Sequence, residues 1–423
     1  MAGRADSSSG VQKKKAGHIR NLPDDILVDI MSRLPVESVL ECKLVCKKLQ
    51  KLLYSRRSSF AKMHVNRQLN QLYCGGTDGD KLDTGLLFGC ITDETWHISL
   101  FYGGLYNGKI NTDNTYEYKK TLKKVRHPPM HHDLAKQYIV GSCNGLICLG
   151  RYYNIRMDPI YIYNPVTGEN LNLPKLIIPK GCLLPRIARG FGYLPSTNEY
   201  KVVRIFYPGR KTTGQVQVYT LGSGCGWRTK AISFPYVNHT VPASFADGSL
   251  CWFYESEVYA FDLDKEEIRM VPSPPPCHTY ALGSSVDDNF GCVVLRGNLC
   301  FFHQTLNAPH MEIWSLKKTD MKESWCKEFS IVYEKRGGEQ YVKHFWPIML
   351  TRNNEIILTS EYRSIHCYDP KTATWKEIVA EDPHFDLSAI RVNSHVNTFV
   401  SLKTLGEKSN KKRCRIKMIG QSL

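Results

Sequence analysis

The stretch HPPMHHD (residues 127–133) gathers His127, His131, His132 and Asp133, residue types that ligate zinc or copper. Adjacent histidines on an extended chain point to opposite sides, and no second ligand group stands nearby. The stretch therefore reads as a surface loop. TDGDKLD (77–83) opens like a calcium loop but lacks the distal glutamate that completes twelve-residue coordination. GSGCG (222–226) is glycine-rich, yet it joins two strand-like runs rather than a strand and a helix, so it reads as a turn and not a phosphate cradle. The sequence contains no G-x-x-x-x-G-K-S/T, G-x-G-x-x-G, G-x-S-x-G or H-E-x-x-H pattern. Glycosidase chemistry would need two carboxylates across one cleft, and no spacing indicates them. These residues point to a chain that does no covalent chemistry and holds no metal or cofactor.

The elements behind these stretches are of two kinds, helical at the front and β beyond. The chain has 423 residues, 42% of them apolar and 11% aromatic, enough for a large core. The formal charge is +16, which invites a nucleic-acid reading. Residues 1–20 carry a net +4 and residues 403–423 a net +6, leaving +6 for the 382 residues between. The basic character thus sits in the tails, and direct nucleic-acid binding is not expected. KKRCRIK (411–417) fits either a nuclear import signal or a solvated tail. Fifteen cysteines occur without any Cys-x-x-Cys, and Cys148, Cys251 and Cys300 lie in apolar runs. That usage suits reduced thiols in the nucleus or cytoplasm. The N-terminus has no apolar secretory segment, and no run approaches the roughly 18–20 apolar residues that span a bilayer. No membrane association is expected.

Residues 1–18 are small, polar and basic, and read as a disordered tail. In NLPDDILVDIMSRLP (21–35), Pro23 suits a first helical position and Asp24 and Asp25 suit the positive end of the helix dipole. Ile26, Ile30 and Leu34 recur every four residues, Leu27 and Met31 widen the stripe, and Pro35 ends it. VESVLECKLVCKKLQKLL continues with helical spacing through Leu40, Leu44/Val45 and Leu49, and Phe60 and His64 face inward on a third short helix. About fifty residues cannot bury two such stripes alone, so this module is either a cap on the β body or a docking piece for a partner.

This front resembles an F-box, the motif that docks on the Skp adaptor of cullin–RING ubiquitin ligases. The match rests on Leu22–Pro23, the acid pair, Ile26, Leu27, Ile30, Leu34–Pro35, Ser38, Leu40 and Val45-Cys46-Lys47. Many F-boxes carry a tryptophan shortly after the last of these; here Leu49 stands there. The resemblance implies an adaptor-binding set of Leu22, Pro23, Ile26, Leu27, Ile30, Leu34, Pro35, Leu40, Val45, Cys46 and Leu49, within a module spanning 19–69.

The remainder repeats. Units begin near residues 139, 189, 242, 291 and 347, at offsets of 50, 53, 49 and 56. Each supplies four strands. Asn144-Gly145, Asp247-Gly248 and Gly297-Asn298 occupy first turns, third strands carry Tyr163, Tyr219, Tyr259, Trp314 or Tyr368, and Trp227, Trp325 and Trp375 open fourth strands. Four strands every forty to fifty residues is the pattern of a β-propeller. GLLFGCI and WHISLFY (85–102), joined by HVNTFVSLK (395–403), complete a sixth blade from both ends. The expected fold is therefore α+β and multidomain: a small N-terminal helical module, a six-bladed all-β propeller over 80–403, and a basic tail over 404–423.

GSCNGLICL, IYNPVTGENLNLP and GFGYLPSTNEYKVV (141–203) resemble the F-box-associated, kelch-like region of plant F-box proteins, without the Gly-Gly pair of true kelch blades. The resemblance implies a non-catalytic substrate-recognition subunit of a Skp–cullin–F-box ubiquitin ligase. Its partners would be a Skp adaptor, through it cullin and RING subunits, and a protein target held by propeller loops, with 103–137 and 272–290 long enough to reach it. The competing readings are a ubiquitin-independent scaffold or transcription cofactor and, more remotely, a propeller enzyme.

Overall fold

The computed structural model of this chain describes residues 22–54, 60–73, 85–91, 98–104, 123–125, 137–151, 160–176, 186–209, 213–275, 289–305, 310–319, 322–333, 344–351, 353–360, 364–379, 392–408 and 410–411. The tail read over 1–18, most of 409–423, and the HPPMHHD and TDGDKLD stretches lie outside them. The chain divides into two units, residues 1–67 and 68–423.

The first unit is helical. It holds α1 (Asp24–Met31), α2 (Val36–Val45), α3 (Lys47–Tyr54) and the start of α4 (Phe60–Tyr73). Pro23 and Pro35 adopt one geometry, φ −54° with ψ 151° and 150°, and their carbonyls accept from the amides of Leu27 and Val39. Each proline is thus the residue before its helix, one position earlier than the sequence places Pro23. Its fixed φ sets the entry angle, and its missing N–H costs nothing at a helix start. The second helical run is broken where the sequence reads it as continuous. Cys46 is fully extended at φ −158°, ψ 159°, and its carbonyl accepts from Gln50 to begin α3.

The second unit contains six sheets. One is formed by β1 (Gly85–Ile91), β2 (Ile98–Gly104) and β3 (Lys123–Val125). The next holds β4 (Gln137–Cys143), β5 (Leu146–Arg151), β6 (Tyr161–Tyr163) and β7 (Glu169–Asn172). The third holds β8 (Arg186–Leu194), β9 (Glu199–Tyr207), β10 (Thr213–Thr220) and β11 (Trp227–Pro235). The fourth holds β12 (Ser244–Ala246), β13 (Ser249–Tyr254), β14 (Glu257–Asp262) and β15 (Ile268–Val271). The fifth holds β16 (Asn289–Leu295), β17 (Asn298–Thr305), β18 (His310–Lys318) and β19 (Glu323–Val332). The sixth holds β20 (Phe345–Leu350), β21 (Ile356–Ser360), β22 (Ser364–Asp369) and β23 (Thr374–Val379).

All pairings are antiparallel, and the first sheet is completed by β24 (Asn393–His395), which pairs with β1 from Gly85↔His395 to Leu87↔Asn393. The first strands β24, β4, β8, β12, β16 and β20 each touch the next, and β20 returns to β24. The ring is closed: a six-bladed propeller. Blades pack face to face, and in the third blade the inner strands β8 and β9 are buried at every position after the first. Outer strands meet water on one side, and β11 and β19 alternate accordingly. The fourth-strand tryptophans tie blades together. Trp227 donates to the carbonyl of Pro174 at 2.8 Å and Trp325 to that of Pro272 at 2.7 Å, each reaching the end of the preceding blade. Cys148, Cys251 and Cys300 are buried and form no disulfide; burial pushes Cys251 up to about 12, far from a reactive thiolate.

Two details differ from the sequence reading. The hairpin of the fifth blade turns at Arg296-Gly297, with φ 52° and 83°, one residue before the expected Gly297-Asn298. The closing strand is Asn393–His395 rather than 395–403. Beyond it the chain adds no strand to the first blade; it runs irregularly over 396–400 and then closes a turn in which the Leu405 amide donates to the Ser401 carbonyl at 3.1 Å, forming a strap over the second and third blades. Asn164 donates its amide to the carbonyls of Thr398 and Val400 at 3.2 and 2.7 Å. Thr398 donates to the carbonyl of Asn144 at 2.6 Å, and Glu169 accepts from Ser401 at 2.9 Å. Glu407 then accepts from the Gly222 amide at 2.8 Å and the Tyr219 hydroxyl at 3.2 Å. The strap lies so close that a Cβ on Gly145 would stand 2.2 Å from Thr398, and one on Gly222 1.6 Å from the Leu405 carbonyl. Residues 404–408, read as tail, therefore belong to the folded body. β25 (Asn410–Lys411) pairs outside β7.

Candidate functional site

The helical unit carries large apolar side chains that its other described residues leave exposed. Packing explains which residues reach it. Leu27, Met31, Val36, Val39, Leu49 and Phe60 are buried and form the interior. Residues on the outer sides of the same helices then point away. Ile26 is 44% exposed and Ile30 40% on α1, and Leu44 is 72% and Val45 59% exposed at the end of α2. Lys48 donates to the Leu22 carbonyl at 2.8 Å and pairs with Asp24 at 3.1 Å, which sets the α2–α3 junction beside the start of α1. Four large aliphatic residues thus stand exposed on two adjoining helices. Fully burying such a side chain is worth about 1.5–3 kcal/mol, so this surface favours a partner.

Of the residues expected at an adaptor interface, Ile26, Ile30, Val45, Pro23 and Pro35 are exposed, and Leu22, Leu34, Leu40 and Cys46 are half-buried. Leu27 and Leu49 are 1% and 4% exposed and lie inside the unit. Their place in the apolar stripe reflects core packing, because a stripe wider than one helix contact must split between core and surface. Leu44 was not expected. The periodicity groups it with Val45 at one recurring apolar position, and both stand exposed at the end of α2, just before the extended Cys46.

A polar brace holds α1 and the corner after it. His64 is fully buried and donates from Nε2 to the Leu34 carbonyl at 2.9 Å. Arg67 donates to the Asp29 carbonyl at 2.9 Å, to the Asp29 carboxylate and to the buried Ser32 hydroxyl. The Arg67 guanidinium, with Arg33 beside it, holds the Asp29 carboxyl below the usual range. The exposed stripe is therefore presented by helices already fixed in place, which lowers the ordering cost of docking.

On the propeller, the long segments 103–137 and 272–290 lie almost wholly outside the described residues. The glycines of GSGCG form the turn between β10 and β11, with φ of 79°, 72° and 67° at Gly222, Gly224 and Gly226. One arrangement resembles hydrolytic machinery: Ser142 Oγ lies 2.7 Å from His395 Nδ1, whose Nε2 lies 3.2 Å from Asn397 Oδ1. Burial pushes the His395 imidazole down to about 4, which makes it a poor proton acceptor for a nucleophile. The trio instead joins β4, β24 and the start of the strap.

The family model described as "F-box associated beta propeller domain" matches residues 108–403, and the one described as "F-box-like" matches 19–65. The Arabidopsis thaliana F-box protein At3g07870 is 28% identical over 408 residues, covering 86% of this chain and 88% of its own. The F-box/kelch-repeat protein At3g23880 of the same plant is 23% identical over 360 residues, 81% of this chain and 86% of its own. Among solved structures, a protein from Lactobacillus plantarum superposes with a TM-score of 0.40 at 11% identity, over 71% of this chain and 82% of its own.

Proposed function

This chain belongs to the F-box-associated β-propeller family, and from that premise we propose that it is the substrate-recognition subunit of a Skp–cullin–F-box ubiquitin ligase. The exposed stripe of Ile26, Ile30, Leu44 and Val45 is the observation that supports the reading, because it gives a Skp adaptor an apolar face to cover. The propeller then holds a target protein. The chain itself makes and breaks no covalent bond; through adaptor, cullin and RING subunits it keeps a target lysine near a ubiquitin-charged enzyme. Tethering replaces a bimolecular encounter with an effectively intramolecular one, at effective concentrations of order mM for short flexible links.

Isothermal calorimetry of the full chain with a recombinant plant Skp adaptor tests this. Ile30→Ala combined with Val45→Ala removes two exposed contacts and leaves the interior untouched. Adaptor affinity is expected to fall at least about tenfold with an unchanged melting curve. Leu27→Ala, by contrast, is expected to lower the melting temperature of the helical unit. Equal affinity of wild type and double variant would refute the docking assignment.

A further inference from the structure

Two-residue turns close the first hairpins of the second, fourth and fifth blades, and the fifth differs from the other two in its first turn residue. Asn144-Gly145 and Asp247-Gly248 have φ of 47° and 84°, and 46° and 72°, a turn in which both residues are left-handed. Asparagine, aspartate and glycine tolerate that conformation; a long side chain adopts it at a cost. In the fifth blade the first position is Arg296, at φ 52°. Glu255 and Glu266 adopt the same conformation in other turns, at φ 58° and 55°, so what distinguishes Arg296 is the surface it faces.

Arg296 stands at the mouth of a groove of about 520 Å³ between the turn ends of the fifth and sixth blades. The floor is apolar: Leu295 is buried, and Phe329 and Leu350 are half-buried. Arg296 Nη2 donates to the Thr351 carbonyl at 2.9 Å, which carries the guanidinium from one blade to the next. Lys371 extends from the exposed β22–β23 turn on the other side. The lining residues set three cations, Arg296, Lys317 and Lys371, against one carboxylate, Glu328, which is ion-paired with Lys317, so positive charge prevails along the groove. An apolar floor with positive charge at the rim complements an apolar side chain beside an acidic one.

We propose that this groove holds an extended segment of a target protein in which an acidic side chain adjoins an apolar one. The proposal rests on the receptor reading above and adds where and by what chemistry a target is held. A nucleic-acid strand suits the groove less, because its backbone would face Glu328 and an aliphatic floor rather than a row of cations.

The test selects random dodecapeptides displayed on phage against the full-length protein. It then measures the enriched peptides by fluorescence anisotropy on wild type, Arg296→Asn and Lys371→Glu. Arg296→Asn installs the residue that another blade uses in this turn, so the fold is kept and its melting temperature is expected to hold or rise. The expected consensus places Asp or Glu next to Leu, Ile or Phe, and each variant binds such peptides at least about tenfold more weakly. The proposal is overturned by a consensus without an acid, by wild-type affinity in either variant, by a failure to enrich any peptide, or by displacement of the peptides by a dT12 oligonucleotide. Adaptor binding is measured on the same wild-type sample. Adaptor binding without peptide binding removes the groove alone, whereas loss of adaptor binding removes the receptor reading.

Discussion

Glu266 shows how single charges join blades. It sits in the turn before β15 and is 7% exposed, and it accepts from Lys201 on β9 at 3.1 Å, Arg228 on β11 at 2.6 Å and Lys230 on β11 at 2.9 Å. Burial alone would raise its carboxyl, but the hydrogen bonds from Arg228, Lys230 and Lys201 outweigh it and hold the group at about 2. The folded value lies below the unfolded one, so the stabilisation is present above pH about 4.5 and is lost as pH falls toward 2. Glu266→Gln leaves the buried Lys201 with only the more distant, partly exposed Glu199 carboxylate, at 3.7 Å. It should cost roughly 3 kcal/mol, the low end for breaking a buried pair, because Arg228 and Lys230 keep contact with water. Denaturant unfolding at neutral pH measures that loss. Repeated between pH 5 and 3, it should show a shallower acid dependence than wild type; a parallel decline would mean that other carboxylates dominate.

At the scale of elements, the strap is the feature that periodicity conceals. The sequence shows the five full blades, because four apolar runs recur with turn residues between them, and these runs become β4 through β23. It also shows the helices, whose spacing is regular. Three things escape it. The break at Cys46 depends on one extended backbone, which no residue type signals. The division of the α1 stripe into core Leu27 and surface Ile26 and Ile30 depends on what packs on each side. Residues 396–402 alternate like a strand, with Thr398, Val400 and Leu402 buried, yet they bond to Asn144, Asn164 and Glu169 of the second blade, and 402–406 close a turn of their own. Removing residues 396–423 should therefore lower the melting temperature markedly while keeping the ring closed by β24. Removing only 409–423 should cost far less, because Glu407 still holds Gly222. Gly222→Ala should reproduce part of the larger loss, since its Cβ would collide with the Leu405 backbone at a left-handed φ of 79°. Calorimetric melts that show no difference among the three would argue that the strap contributes nothing to stability.

The whole molecule depends on a strand from one end of the propeller sequence completing a blade begun at the other. Removing residues 392–423 takes β24 from the first blade and leaves β1 as an open edge facing the core. Such a chain is expected to aggregate or to melt without cooperativity, since nothing else supplies the missing hydrogen bonds. A soluble fragment of residues 1–391 with one sharp transition would show that the ring does not need its clasp.

The same clasp sets a timetable for biosynthesis. Roughly 270 residues separate β3 from β24, so at about 5–20 residues per second a ribosome needs roughly 13–54 s to deliver the partner of β1. Throughout that interval the helical unit is already outside the exit tunnel, while the first blade waits with an unpaired strand. Premature termination between β3 and Asn393 would release a chain with its helical front complete and its propeller unclosed, which under the proposed function would occupy an adaptor without holding a target.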